Sequence, residues 1–129
     1  MPLTTNNPIA FIPTTDAAAA RAFYETTLGL TFVSADNFAT IFRVGVSQTM
    51  LRLVCAPQPF TPNHFTIFGW EVDDIHATIA DLTSRGVEFL RIGYFEQDPD
   101  GVWISPSGAK VAWFKDPDGN TLSLSTHPA

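Results

Sequence analysis

The strongest constraint on the fold is an internal repeat, in which a stretch of the first half returns 57 positions later. Asp16 is followed by Gly29, Leu30 and Phe32 in the first copy, and Asp73 by Gly86, Val87 and Phe89 in the second, at the same spacing. Each copy joins a short apolar run to an acidic residue that can cap a helix and a later Gly that can end one. The pattern predicts two related half-domains.

The helix of each copy is defined by its two ends. Asp16 in the first copy, and Asp73 or Asp74 in the second, can accept hydrogen bonds from the free N–H groups of a first turn. Gly29 and Gly86 can adopt the left-handed conformation that ends a helix, about three turns later. Apolar residues recur at helical spacing between these ends, so we expect each helix to lie against a sheet.

Short segments rich in β-forming residues follow each helix and are separated by turn signals. The predicted strands are 30–34, 39–44 and 50–54 in the first half, and 87–90, 102–105, 110–114 and 121–125 in the second. The segment 56–63 contains three prolines and cannot continue a helix or a central strand. The sequence therefore predicts one α+β domain over 1–129, with β-α-β-β-β modules at 8–55 and 64–126 joined by a linker at 56–63.

Composition and charge narrow the class of protein. The chain has 129 residues, 45% of them hydrophobic, which is enough for one shared core. No apolar run approaches the ~20 residues of a membrane span, and the start of the chain lacks the features of a secretory signal, so we expect a cytoplasmic protein without membrane contact.

Seven scattered basic residues in a chain of net charge −6 argue against nucleic acid as a partner. Cys55, the only cysteine, is expected to be a small core residue without a role.

Three motifs in order resemble those of the vicinal oxygen chelate superfamily, which contains glyoxalase, bleomycin-resistance protein and extradiol dioxygenase. They are AFYETTLGL at 22–30, VDDI at 72–75 and FKDPDGNTL at 114–122. The resemblance covers about residues 8–126 and implies the glyoxalase/bleomycin-resistance/dioxygenase fold, in which two β-α-β-β-β modules form an open curved sheet, or cup. It also implies a homodimer and a small-molecule ligand inside the cup.

Enzymes of this family chelate two neighbouring substrate oxygens to a divalent metal. The family's four ligand positions fall here on Ile9 (or Ala10, if the register slips by one), Arg52, Ile67 and Ser123. None of these side chains is a usual ligand for zinc, nickel or iron. The histidines His64, His76 and His127 are expected at the surface, and His64 is the nearest candidate for a shifted ligand. We therefore expect no metal and no cofactor.

Strand alternation predicts which side chains line the cup. The predicted lining is Phe11, Met50, Arg52, Ile67, Glu71, Trp113, Thr121 and Ser123, with Tyr94 and Trp103 at a mobile rim. An apolar and aromatic surface with a few polar anchors is typical of a small-molecule pocket. Arg52 needs an anion, supplied either by a ligand or by Glu71. Trp113 either packs or stacks on a ligand.

Three functional hypotheses follow. The preferred one is a metal-independent small-molecule-binding protein, such as an antibiotic-sequestering one, and not an enzyme. The second is an enzyme: a glyoxalase-type lyase or isomerase or a dioxygenase with a displaced metal site, or one that uses Arg52 as an oxyanion stabiliser and Glu71 as a base. The third is a structural or interaction module whose cup is filled by its own side chains.

Overall fold

The computed structural model describes residues 3–128. The chain divides into two compact units, Met1–Thr61 and Pro62–Ala129. Each unit has the element order β-α-β-β-β and one open four-stranded sheet. The predicted α+β class and the two modules are confirmed, whereas the exact bounds of modules and linker remain a prediction. Within residues 3–128, no helix has both the length and the apolar character to cross a membrane.

The first unit is a sheet covered on one face by a helix. Its elements are β1 (Ile9–Thr14), α1 (Ala17–Ala22), a π-helical segment (Phe23–Thr27), β2 (Thr31–Ala35), β3 (Ala39–Val44) and β4 (Thr49–Cys55). The strand order is β1-β4-β3-β2, with β1 parallel to β4 and the other pairs antiparallel. Helix α1 packs on β3 and β4, and alternate strand residues such as Phe42, Leu51 and Leu53 are buried there. The side chains between these buried residues point to the opposite face of the sheet, because successive strand residues alternate in direction.

The first helix begins at the predicted cap and changes to a π-helical turn in its second half. Asp16 caps it, because its Oδ1 accepts a hydrogen bond of 3.1 Å from the Ala19 N–H. The predicted length of about three turns is met by α1 and the π-helical segment together, because α1 ends at Ala22 and a π-helical turn follows at once, in which the Leu28 N–H donates to the Phe23 carbonyl. Gly29 ends the segment at a φ of +76°, which explains why a glycine stands there.

The second unit repeats this plan. Its elements are β5 (Thr66–Glu71), α2 (Ile75–Ser84), β6 (Trp103–Ile104), β7 (Lys110–Lys115) and β8 (Thr121–Thr126), in the sheet order β5-β8-β7-β6. Asp74 rather than Asp73 caps α2, since its Oδ1 accepts a hydrogen bond of 3.0 Å from the Ala77 N–H. Helix α2 packs on β7 and β8, where Phe114 and Leu122 are fully buried.

The predicted strand at 87–90 is wrong. Phe89 makes only an isolated bridge to Phe114, and the edge of the sheet is formed by the two-residue strand β6. The reason lies in Gln97, whose amide accepts from the Ile92 N–H and donates to the carbonyls of Leu90 and Gly101. A side chain thus satisfies backbone groups near this segment, and it holds an irregular loop in place of a strand.

The DPDG motif forms the turn between β7 and β8. The buried carboxylate of Asp116 accepts hydrogen bonds of 2.9 Å from the N–H groups of Asp118 and Asn120 and from the Asn120 side chain. The role of this motif in the structure is to fix a hairpin, since a buried carboxylate with several donors organises the backbone around it.

The expectation that Cys55 is a core residue is wrong. Its side chain is exposed at the last position of β4, and its Sγ lies 3.9 Å from the Asn37 carbonyl oxygen. Leu53, two residues earlier on the same side of the strand, is buried. The buried part of β4 therefore ends before Cys55, and the apolar run at 51–54 gives no sign of where it ends.

Candidate functional site

The face of the second sheet opposite α2 carries stacked aromatic rings. Phe95 stacks on Trp103, with ring centroids 4.3 Å apart and planes 21° apart, and on Trp113 at 5.4 Å and 13°. Tyr94 meets the edge of Phe95 at 4.6 Å. We call Tyr94, Phe95, Trp103 and Trp113 the aromatic cluster. Strand alternation places Trp113 on this face, because its neighbours Ala112 and Phe114 are buried under α2.

The aromatic cluster depends on the loop 91–102, which is tied down by Asp98. One oxygen of the Asp98 carboxylate accepts from the N–H groups of Asp100 and Val102 at 2.9 Å, and the other lies 2.8 Å from His76 Nε2 in helix α2. Burial raises the pKa of Asp98, but the hydrogen bonds from His76, Val102 and Asp100 outweigh it and hold the pKa below its ordinary value. The loop therefore presents Phe95 from a fixed backbone.

A surface pocket of about 200 Å³ borders the aromatic cluster. Its wall includes His64, Phe65, Thr66, Tyr94, Phe95, Trp113 and Thr121. The Trp113 indole N–H donates a hydrogen bond of 3.0 Å to the Thr66 hydroxyl, which fixes the plane of the indole ring. Phe65 and Tyr94 are 65% and 84% exposed, so apolar ring surface is available to a ligand.

Ser123 lies beside Trp113 on the same face, since these two residues are paired between β8 and β7. The neighbour of Ser123 on β5 is Gly69, and a Cβ at that position would lie 2.3 Å from Ser123 Oγ. Thr121 is buried and also borders the pocket, while Glu71 is exposed at the end of β5. The pairing of β5 with β8 shifts between Thr66 and Phe68 and leaves Ile67 as an extra residue. Thr66, not Ile67, therefore lines the pocket.

The first sheet brings together Phe11, Met50 and Arg52 on its face opposite α1. Arg52 is half-buried and stands between Phe11 on β1 and Ile41 on β3. Phe11 is 61% exposed. Sequence reasoning thus placed these three residues on one surface and Glu71, Trp113, Thr121 and Ser123 on the second sheet. The pairing of Arg52 with Glu71 involves residues of different units and stays a prediction.

An acidic side chain near Arg52 is Asp36, in the turn between β2 and β3. Hydrogen bonds from the N–H groups of Phe38 and Ala39 lower the pKa of its carboxyl group. Partial desolvation opposes them, and the charge on Arg52 lowers the pKa further. The positive charge of Arg52 therefore already acts on the carboxylate of Asp36, which belongs to the same unit.

Sequence reasoning missed Phe65, Thr66 and Phe95 as pocket residues, and considered His64 only as a shifted metal ligand. Phe95 lies in the loop 91–102, where strand periodicity gives no information on direction. His64 and Phe65 precede β5, and Thr66 is directed to Trp113 by the irregular pairing after it. The one available signal was composition, because an aromatic pair at Tyr94 and Phe95 in an otherwise polar loop is unusual for a solvated connection.

The donor set does not fit the family's metal centre. Ile9 and Ile67 offer hydrocarbon, Arg52 a cation, and Ser123 a hydroxyl, so none supplies the imidazole or carboxylate of such a centre. Across residues 3–128, no cluster of three or more His, Cys, Asp or Glu side chains could hold a metal ion. His64, His76 and His127 are exposed, as expected.

Solved structures of similar fold cover nearly the whole chain. A superfamily member from Sphaerobacter thermophilus is 25% identical, with a TM-score of 0.75 over 97% of this chain and 99% of that one. A bleomycin-binding protein complexed with bleomycin is 25% identical, with a TM-score of 0.73 over 96% and 100%. TnmS3, an antibiotic binding protein from Streptomyces sp. CB03234, is 23% identical, with a TM-score of 0.74 over 96% and 97%, and supports the fold alone.

A comparison with curated proteins gives no match. The family profile described as Glyoxalase/Bleomycin resistance protein/Dioxygenase superfamily, by contrast, matches residues 7–124. The match spans both β-α-β-β-β modules and includes all three motifs that carried the resemblance. The chain therefore belongs to the glyoxalase/bleomycin resistance protein/dioxygenase superfamily.

Proposed function

We propose that this protein binds a small organic molecule with a planar aromatic part, without a metal ion, and acts by binding rather than by catalysis. The observation that carries the proposal is the aromatic cluster beside its open pocket of about 200 Å³. Near-parallel indole and phenyl rings next to a few fixed polar groups suit the stacking and orientation of a flat ligand.

The proposed ligand-binding residues are assigned to each sheet separately and are taken from the predicted lining, with Phe95 and Thr66 added on the second sheet. On the first sheet they are Phe11, Met50 and Arg52. On the second they are Thr66, Glu71, Phe95, Trp113, Thr121 and Ser123, with Tyr94 and Trp103 at the rim; Thr66 takes the place predicted for Ile67. Trp113 is the central member, because its ring is held by Thr66 and stacked on Phe95. A fixed ring loses little conformational entropy when a ligand binds, which favours affinity.

The relatives support a binding role and suggest a ligand class. One solved structure, 25% identical and aligned over 96% of this chain, is a bleomycin-binding protein complexed with bleomycin. We extend the proposal to the sequestration of an antibiotic-like molecule by a cytoplasmic homodimer. Sedimentation velocity between low and high micromolar concentration tests the homodimer. We expect a single species with twice the chain mass of 14.1 kDa.

The binding proposal is tested with protein freed of metals by a chelator. A panel of neutral bicyclic and tricyclic aromatics, with bleomycin as a further member, is titrated and followed by heteronuclear NMR and calorimetry. We expect at least one member to bind stoichiometrically and to shift amide signals of 64–66 and 94–95. Trp113→Ala is expected to weaken that binding about 10- to 100-fold, from lost ring burial and stacking.

The matched control is Trp70→Phe. Trp70 also stacks on a phenyl ring, that of Phe114, but lies on the helix side of the second sheet. This variant is expected to lose stability and keep its affinity. Equal loss of affinity in both variants, or binding that requires added metal, contradicts the proposal.

A further inference from the structure

We propose that Arg52 is an anchor for the carboxylate of an amphipathic acid, with the apolar residues beside it on the first sheet holding the body of that acid. This inference goes beyond the proposed function, which is carried by the aromatic cluster of the second unit, and names the chemical class of ligand that the first sheet would take. It starts from the position of Arg52, half-buried in β4 at the middle of a four-stranded sheet. A guanidinium that has lost part of its water there needs an anion.

The carboxylates of the first unit are already engaged elsewhere. Asp16 accepts from the Ala19 N–H, Glu25 from the Arg21 side chain at 2.9 Å, and Asp36 from the Phe38 and Ala39 N–H groups. Each of these contacts has a structural purpose in a helix or a turn. Within residues 3–61, Asp36 attracts Arg52 through its charge, without a hydrogen bond or an ion pair between the two side chains.

The other arginines of this unit differ from Arg52. Arg21 donates to Glu25 and lies 3.6 Å over the centre of the Phe32 ring, and Arg43 donates to the Gln48 carbonyl at 3.1 Å. Among residues 3–61, no hydrogen bond or ion pair of the Arg52 side chain is found. Its donors are free within the unit, and they form the planar fork that binds a carboxylate through two parallel hydrogen bonds.

The neighbours of Arg52 decide what the anion is attached to. Phe11 and Ile41 flank it across β1 and β3, and Met50 and Val54 lie two residues away along β4. With Phe11 61% exposed, hydrocarbon surface surrounds the cation. A strongly hydrated phosphate would not use that surface, whereas a carboxylic acid with an aromatic or aliphatic body buries it. Arg43, on the same face beside Met50, adds a second positive charge.

The test compares two probes of equal shape, 2-naphthoate and the neutral 2-naphthamide, by calorimetry and NMR on the full chain. We expect naphthoate to bind at least tenfold more tightly and to shift amide signals of β1 and β4. Arg52→Gln is expected to abolish this preference by lowering the affinity for naphthoate to that for naphthamide. Arg43→Gln, which removes the same charge from the same face, is expected to reduce it less than threefold.

Other outcomes contradict the inference in distinguishable ways. Equal affinity of both probes for the unaltered protein overturns the carboxylate anchor and leaves the proposed aromatic site standing. Failure of naphthoate to bind overturns it also, and the neutral panel then decides the proposed function alone. Displacement of naphthoate by inorganic phosphate at constant ionic strength shows a general anion site instead. If Arg52→Gln fails to fold, Arg52→Lys keeps the charge without the fork and should lose part of the preference.

Glu71→Gln separates a ligand anchor from an internal ion pair. If Glu71 is the constitutive partner of Arg52, its neutralisation frees the guanidinium and raises naphthoate affinity severalfold. If Arg52 is instead free to bind the ligand, the affinity of the Glu71→Gln variant for naphthoate should be unchanged, and this is the result that we expect. A rise would therefore contradict the free anchor and favour the internal pair.

Discussion

At the residue scale, Gly69 is the position where a single added methyl group should do most harm. A Cβ there would lie 2.3 Å from Ser123 Oγ and 2.9 Å from the Ser123 carbonyl oxygen, which belongs to the neighbouring strand. The hydroxyl can rotate away, but the carbonyl cannot move without disturbing the sheet. Gly69→Ala should therefore reduce the free energy of unfolding by about 1–3 kcal/mol, measured by urea denaturation.

Gly93→Ala is the matched control, since a Cβ at Gly93 meets no atom within 4 Å. It should change stability by less than about 0.5 kcal/mol. Adding Ser123→Ala to Gly69→Ala should restore only part of the loss, because the clash with the backbone oxygen remains. Full recovery in the double variant would show that the hydroxyl alone sets the cost.

The direction of a single side chain could be predicted from the sequence only where it lies in a regular strand. Alternation placed Trp113 and Ser123 on one face correctly, because a strand fixes direction locally. It could not place Thr66 against Trp113, since that contact depends on an irregular pairing of β5 with β8. It also could not find Phe95, whose direction is set by a loop rather than by a strand.

At the element scale, the loop 91–102 should be sensitive to acid through Asp98. The lowered pKa of Asp98 means that folding favours its charged form. Its stabilising contribution is therefore present above the ordinary value of 3.8 and is lost as the pH falls through the lower folded value. We expect the protection factors of the Asp100 and Val102 amides, which correct hydrogen exchange for its intrinsic pH dependence, to fall over that range.

Asp98→Asn should remove this acid dependence and accelerate exchange already at neutral pH. Asp100→Asn removes the same charge from the same loop without removing the hydrogen bonds to His76 and Val102, and so should retain the dependence. If both variants respond to pH like the unaltered protein, the loop is not held by the Asp98 carboxylate.

Helices, strands and turns could be predicted where a few neighbouring residues decide the local structure and no distant side chain intervenes. The caps Asp16 and Asp74, the strand 39–44 and the hairpin after β7 follow from patterns of a few neighbouring residues. The prediction of a strand at 87–90 failed at its end, where Gln97, seven residues further on, donates to the Leu90 carbonyl a hydrogen bond that a neighbouring strand would otherwise make. A side chain acting across a loop leaves no periodic signal.

At the scale of the whole molecule, the repeat predicts two units that do not fold alone. Each unit has a single four-stranded sheet and one helix, which covers one face of that sheet. Chains of about 60 residues bury only about 60% of their unfolded surface and are marginally stable. The first unit also leaves Ile9 and Phe11 49% and 61% exposed.

The two halves of the chain differ in net charge, so their separate fragments should respond differently to salt. Residues 1–61 have three acidic and three basic side chains, whereas residues 62–129 have ten acidic and four basic ones, so the second half carries the whole net charge of −6. The separate fragments 1–61 and 62–129 should show no cooperative thermal transition by circular dichroism, while the full chain shows one. Added salt should increase residual structure more in 62–129 than in 1–61, because it screens self-repulsion only where net charge exists. A cooperative transition in either fragment would mean that one helix and one sheet already form a sufficient core, and the repeat would then be two domains in tandem rather than one.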